Sequence, residues 1–253
     1  MRTNLINGFK QIILTVMLVA STNALAGNPV VKSAPATFKF NDNEQHKFLD
    51  QHKTAIKTIT TDTLIKMRKL MPTLASSIQF TINIIDRDLS MVNGTTGRAD
   101  RPNEIEISLS SRYKGGLDQV IKDGFAVTLF HELHHTVRGW TIYGNKFDQG
   151  IDIATINEGL ADVFAEIQAG HPHGNYTDVV DFEAWTKEIL ALPKNANYGK
   201  WMFAHPDGRE AIGYRTGAYL VKKAMKASNK DILALSKMSI KAIYKLAGFE
   251  FTP

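Results

Sequence analysis

Apolar residues recur every three or four positions between residues 42 and 71, at Phe48, Ile56, Ile59, Leu64, Met67 and Leu70. That spacing predicts a helix closed by Pro72. The period then shortens to two. Ile78, Phe80, Ile82 and Ile84 alternate with polar residues, as do Ile105, Ile107 and Leu109 after Glu104 and Glu106, and both runs predict half-buried strands. The Gly-rich segment between them, VNGTTGRADRPN, reads as a loop. Helical spacing returns from about residue 118 to 138, with Ile121, Phe125, Leu129 and Val137 on one stripe and Gly139 as the stop. A second helix is predicted over residues 152–169, ended by Gly170. Further helices are expected over 178–192, 209–226 and, as a shorter pair, from residue 230 onward. A helix, a small mixed sheet and then a mainly helical C-terminal part make the expected fold class α+β.

The N-terminus does not belong to that pattern. MRTNLINGFKQIILTVMLVASTNALAGN has Arg2 and Lys10 before an apolar stretch from Ile12 to Ala20, and Ala24-Leu25-Ala26 forms an A-x-A cleavage signal. Residues 1–26 are therefore expected to be a signal peptide, residues 27–41 an extended, proline-containing leader, and residues 42–253 the folded domain. The apolar run is short of the roughly 20 residues that a membrane span requires. No stable membrane insertion is expected after cleavage, and the protein is expected to be exported, to the periplasm or beyond the cell. Removing Arg2 and Lys10 from the 30 basic residues leaves 28 against 25 acidic ones, a formal +3. So small an excess, with no clustering, excludes a nucleic-acid partner. The chain has no cysteine, so any metal must be held by histidine and carboxylate.

Those ligand types are concentrated in one place. HELHH, residues 131–135, holds three of the eight histidines. His131 and His135 stand four apart on a predicted helix, so their rings share a face and can share an ion, with Glu132 beside that face. Catalytic zinc takes three protein ligands and leaves one position open. The third ligand is not a histidine farther along HExxHxxGxxH, because Arg138 and Thr141 occupy the required positions. A glutamate on a following helix is the other route, and Asn157-Glu158-Gly159-Leu160-Ala161-Asp162 supplies one, with Asp162 a turn beyond Glu158.

HELHH followed by NEGLAD resembles the gluzincin, thermolysin-like metallopeptidases, and in particular a bacterial family of predicted zinc-dependent proteases with HExHH and EGLA(D/E) motifs. The resemblance extends to AIGYRTGAYLV, residues 211–221, with its Gly-Tyr-x3-Gly signature, and covers roughly residues 77–225. It implies a zincin-like fold and one zinc ion held by His131, His135 and Glu158. It further implies Glu132 as general base toward a metal-activated water, and Asp162 as the partner that orients a ligand histidine. A peptide or protein substrate lying along an edge strand is implied as well, for which residues 104–109 (Glu104, Ile105, Glu106 and beyond) are the candidate. The absence of a GAMEN segment argues against the large aminopeptidases.

The oxyanion of peptide hydrolysis needs a donor besides the metal. Tyr214 is the first candidate, with His205 and Arg215 behind it and Arg209 behind those. An aromatic on an apolar helix also serves as core, and Gly213, Gly217 and Ala218 also suit close helix packing. His134 is expected to pack or to support a ligand and not to be one; His171 and His173 of the HPHG segment resemble a second metal pair but are expected to be loop residues, and Trp140, Trp185 and Trp201 to be core or cleft wall. The alternative to an enzyme is a non-catalytic metal-binding or protein-interaction module that retains the scaffold. Glu132 separates the two readings, because a scaffold has no use for it.

Overall fold

The computed structural model describes residues 35–251; the expected signal segment and most of the leader lie outside the described residues. Strands β1 (Ala36–Asn41), β2 (Ile78–Ile85), β3 (Thr95–Arg101) and β4 (Glu104–Ser110) form one mixed sheet in the order β1-β2-β4-β3. β2 runs parallel to both β1 and β4, and β3 is antiparallel to β4. The alternation in the sequence fixes which face is buried: Phe80, Ile82 and Ile84 of β2 and Ile105, Ile107 and Leu109 of β4 all point into the core. β1 pairs in register beside β2, with Phe38 opposite Phe80 and Phe40 opposite Ile82.

Two expectations about the sheet are corrected. The Gly-rich segment is a strand at its centre, because β3 draws its backbone hydrogen bonds from β4 and buries only Thr95 and Ala99 fully, so it shows no apolar alternation. In consequence residues 104–109 are not an edge. β4 is paired on both sides, and Glu104, Ile105 and Glu106 have no free backbone edge to offer a peptide. The edge on that side belongs to β3.

Helix α1 (Asp50–Leu70) starts eight residues later than the apolar spacing suggested. Asp42 and Asn43 accept backbone N–H groups of Phe48 and of Gln45 and His46, turns that compete with helix formation. Helix α2 (Gly116–Val120) continues through a π-helical turn, Ile121–Phe125, into α3 (Ala126–Arg138), which Gly139 ends at φ 70°. Helix α4 (Ile151–Ala169) packs across α3. After α5 (Phe182–Leu190) and α6 (Tyr198–Met202), helix α7 (Ile212–Ser228) packs on α4, followed by α8 (Ile232–Leu235) and α9 (Ile240–Leu246). Small residues permit the α4–α7 contact: a Cβ on Gly217 would lie 1.9 Å from the Thr155 carbonyl oxygen, and one on Gly159 would lie 2.1 Å from the Gly217 carbonyl carbon. One continuous core joins α1, the sheet, α3, α4 and α7. No helix among the described residues is long and apolar enough to cross a membrane.

Candidate active site

Helix α3 carries His131, Glu132 and His135, and α4 carries Glu158 and Asp162. The two helices bury almost every residue along their shared stretch, which fixes both backbones before any ligand is considered. Three donor atoms converge between them. Nε2 of His131 and Nε2 of His135 are 2.8 Å apart, and Oε2 of Glu158 lies 3.2 Å from the first and 2.9 Å from the second. All three side chains are buried. Two imidazole nitrogens and a carboxylate oxygen turned on one point form the donor set that zinc takes, and their chemistry and burial fit that ion.

The second oxygen of Glu158 is engaged separately. Oε1 accepts from Trp140 Nε1 at 2.8 Å and Tyr198 OH at 3.1 Å, and lies 3.2 Å from Lys146 Nζ. On the other side of the ligand cluster, Asp162 Oδ1 lies 2.9 Å from His131 Nδ1 and 3.6 Å from His173 Nδ1. His173 Nε2 is in turn 3.0 Å from Thr128 Oγ1, and Thr128 shares a 2.6 Å hydrogen bond with Thr95 of β3. Asp162 thus stands against the Nδ1 side of His131.

The charges in this buried cluster shift strongly. Burial alone would raise Glu158, but His135, Lys146 and His131 outweigh it and hold the carboxyl well below its usual range. Glu132 behaves oppositely: burial dominates, Glu158 and Asp162 add to it, and the carboxyl is pushed up to about 7 against the pull of His131 and Lys146. Burial lowers His135 to about 4. For His131, burial is opposed and overcome by Asp162 and Glu158, which carry it up to about 10.

Glu132 faces a cleft of about 480 Å³ whose walls include Thr95, Thr96 and Gly97 of β3, His131, Asp162, His173, Phe203 and Tyr214. Its Oε2 has no hydrogen-bond partner among the described residues. Gly97 makes its place possible, since a Cβ there would stand 2.6 Å from Glu132 Cγ. Tyr214, in the first turn of α7, lines the same cleft with its ring centroid 6.3 Å from that of His131. Burial and the neighbouring carboxylates keep its hydroxyl protonated far above its ordinary range.

The other candidates fare differently. Arg215 is ion-paired to Asp178 at 2.7 Å and lines a side recess of about 390 Å³ that shares Asp162, His173, Tyr176 and Tyr214 with the cleft. His205 packs on Trp201 and holds its Nδ1 2.8 Å from Asp207, so it is turned to a surface turn and not to Glu132. Arg209 is bound to Glu188 and Asp207. The Glu106 side chain borders a second recess, of about 410 Å³, with Lys146, Tyr198 and Tyr214. His134 packs as expected, with Nε2 2.9 Å from Ser236 Oγ.

Sequence reading missed four residues of the cluster. His173 was visible in HPHG, but only the return of that loop against Asp162 gives it a role, while His171 stays on the outside. Trp140 and Lys146 come from the connection between α3 and α4 and Tyr198 opens the five-residue α6, stretches too short for periodicity to mark a side chain as inward.

A mixed sheet flanked by a helix with two facing histidines, and a following helix that supplies a carboxylate, bring the donors for one metal ion together between α3 and α4. The chain belongs to the predicted Zn-dependent protease family (DUF2268), whose model matches residues 56–245. No curated protein and no solved structure matches the chain.

Proposed function

We propose that this chain is an exported zinc-dependent peptidase in which Glu132 is the general base and peptide bonds of a protein or peptide are cleaved in the β3 cleft. The observation that carries the reading is the joint placement of three converging buried donors and a second carboxylate, that of Glu132, in the wall of the adjoining cleft. Zinc held by His131, His135 and Glu158 would lower the pKa of a water to about 7 and polarise a carbonyl. Glu132, buried beside the ligand cluster in the cleft wall, would accept a proton from a water held there and return it to the departing amine. Tyr214 presents a neutral hydroxyl to the developing oxyanion. Asp162 holds His131 in the tautomer whose Nε2 is free to donate electrons. The substrate backbone lies along β3 in place of the edge first assigned to residues 104–109. The first 26 residues direct export and are removed.

Glu132→Gln tests the reading directly. The variant keeps the size and the ligands but cannot accept a proton. It should hold one equivalent of zinc while hydrolysis of an unstructured protein such as casein falls by about two to four orders of magnitude. Wild-type rates in a zinc-loaded Glu132→Gln protein would remove Glu132 as the base, and a zinc-loaded wild type that hydrolyses nothing would leave the non-catalytic module in place of the peptidase. Export is tested by N-terminal sequencing of the protein recovered from outside the cytoplasm, which should begin at Gly27.

A further inference from the structure

The resemblance accounts for one oxygen of Glu158 and is silent on the other. A carboxylate near a metal can bind through one oxygen or both, and the outcome depends on what else competes for the second. Here Oε1 faces three donors from three different segments: Trp140 just after α3, Lys146 in the turn before α4, and Tyr198 at the start of α6. Two of them are buried, Lys146 at 6 % exposure and Trp140 at 3 %, so water does not compete for these contacts. The Tyr198 ring is braced between Phe147 and Phe203, with centroids 4.8 and 6.0 Å away. Oε2, by contrast, contacts only the two imidazoles.

We propose that Trp140, Lys146 and Tyr198 form a three-donor clamp on Oε1 of Glu158 that commits this carboxylate to a metal through Oε2 alone. The inference rests on the metal reading of the His131–His135–Glu158 cluster but adds positioning residues that the HExxH and NEGLAD motifs do not contain. The clamp has two physical effects. The hydrogen bonds from Trp140 and Tyr198 occupy the two lone pairs of Oε1, so it has no capacity left for an ion. The Lys146 ammonium also cancels the charge of Glu158, so a divalent ion beside it keeps more of its own positive charge and with it more power to polarise a substrate. Residues of this kind act through the ligand and touch no substrate.

The test is read on metal binding and not on turnover. Tyr198→Phe and Lys146→Met remove a donor with little change of volume, and Trp140→Phe serves as a third probe. Zinc affinity is measured by competition with a chromophoric chelator, and coordination by the visible spectrum of the Co²⁺-substituted protein. Wild type should show the intense bands of four-coordinate cobalt. Tyr198→Phe should bind zinc about 10- to 100-fold more weakly, as expected when a ligand loses its orienting partner. Tyr198→Phe and Trp140→Phe should shift the cobalt spectrum toward the weaker bands of five coordination as a lone pair of Oε1 becomes available, while Lys146→Met, which keeps both hydrogen bonds and removes only the compensating charge, should keep the four-coordinate bands and bind zinc more tightly. Circular dichroism identifies any variant that fails to fold, and the remaining variants then decide. Folded variants whose zinc affinity stays within about twofold of wild type and whose cobalt spectra are unchanged overturn the clamp while leaving the peptidase reading intact. A wild-type protein that takes up no zinc at all overturns both.

Discussion

Glu132 and Glu158 are the same residue type on adjoining helices, both buried, and their carboxyls are driven in opposite directions. What differs is the number of donors each faces. Glu158 has contacts to both oxygens, whereas Oε2 of Glu132 is buried with no hydrogen-bond partner among the described residues. A carboxylate surrounded by donors suits a permanent ligand, and one short of donors suits a group that takes and gives a proton. Tyr214 offers a separate handle at this scale. If its hydroxyl stabilises the oxyanion, Tyr214→Phe should lower kcat by about 10²- to 10³-fold while KM for a peptide substrate stays near the wild-type value. If Tyr214 only packs, a folded variant will keep its kcat. The residues of HELHH and NEGLAD could be identified from the sequence because each motif lies within one or two helical turns. His173, Trp140, Lys146 and Tyr198 could not, because each reaches the cluster from a connection or a single-turn helix whose path is set by what it packs against.

At the scale of elements, two glycines separate folding from function. Gly217 touches backbone: a Cβ there would sit 1.9 Å from the Thr155 carbonyl oxygen, and neither helix can yield without moving the other. Gly217→Ala should therefore lower stability by about 1–3 kcal/mol or more, seen as a lower urea midpoint. Gly97 touches the flexible end of a side chain, with Glu132 Cγ and Oε1 at 2.6 and 2.7 Å from the added Cβ. Gly97→Ala should keep the urea midpoint near wild type and depress activity by displacing the carboxylate. An unfolded Gly97→Ala protein would show that β3 tolerates less than this. The helices 116–138 and 151–169 could be read from the sequence because they have an apolar stripe and a glycine stop. β3 could not be read, since an edge strand takes its order from its neighbour and TTGRADR has almost no alternation of its own.

For the molecule as a whole, the His131–His135–Glu158 cluster lies in the wall between α3 and α4, inside the same core that joins the sheet to α7. Binding there is coupled to folding, since the unfolded chain cannot gather ligands 23 and 27 residues apart. Zinc at about a thousand times its Kd stabilises the native state by about 4 kcal/mol. For a domain of this length that corresponds to roughly 8–16 °C in Tm. Removing zinc with a chelator should lower Tm by about that amount and abolish hydrolysis, and adding zinc back should restore both. A Tm indifferent to the chelator would place the ion elsewhere or nowhere.

The sequence by itself determined the two helices, the face on which His131 and His135 stand and the turn separating Glu158 from Asp162, because helical periodicity carries that information over a few residues. It also limited the ligands to histidine and carboxylate, since the chain has no cysteine. Only the tertiary structure decided that β3 and not β4 is the edge, that His173 closes on Asp162, and that three connecting segments meet at one oxygen of Glu158. Those contacts join residues whose separation along the chain follows no period. They form only when the packing of α3, α4 and the sheet brings the connections together.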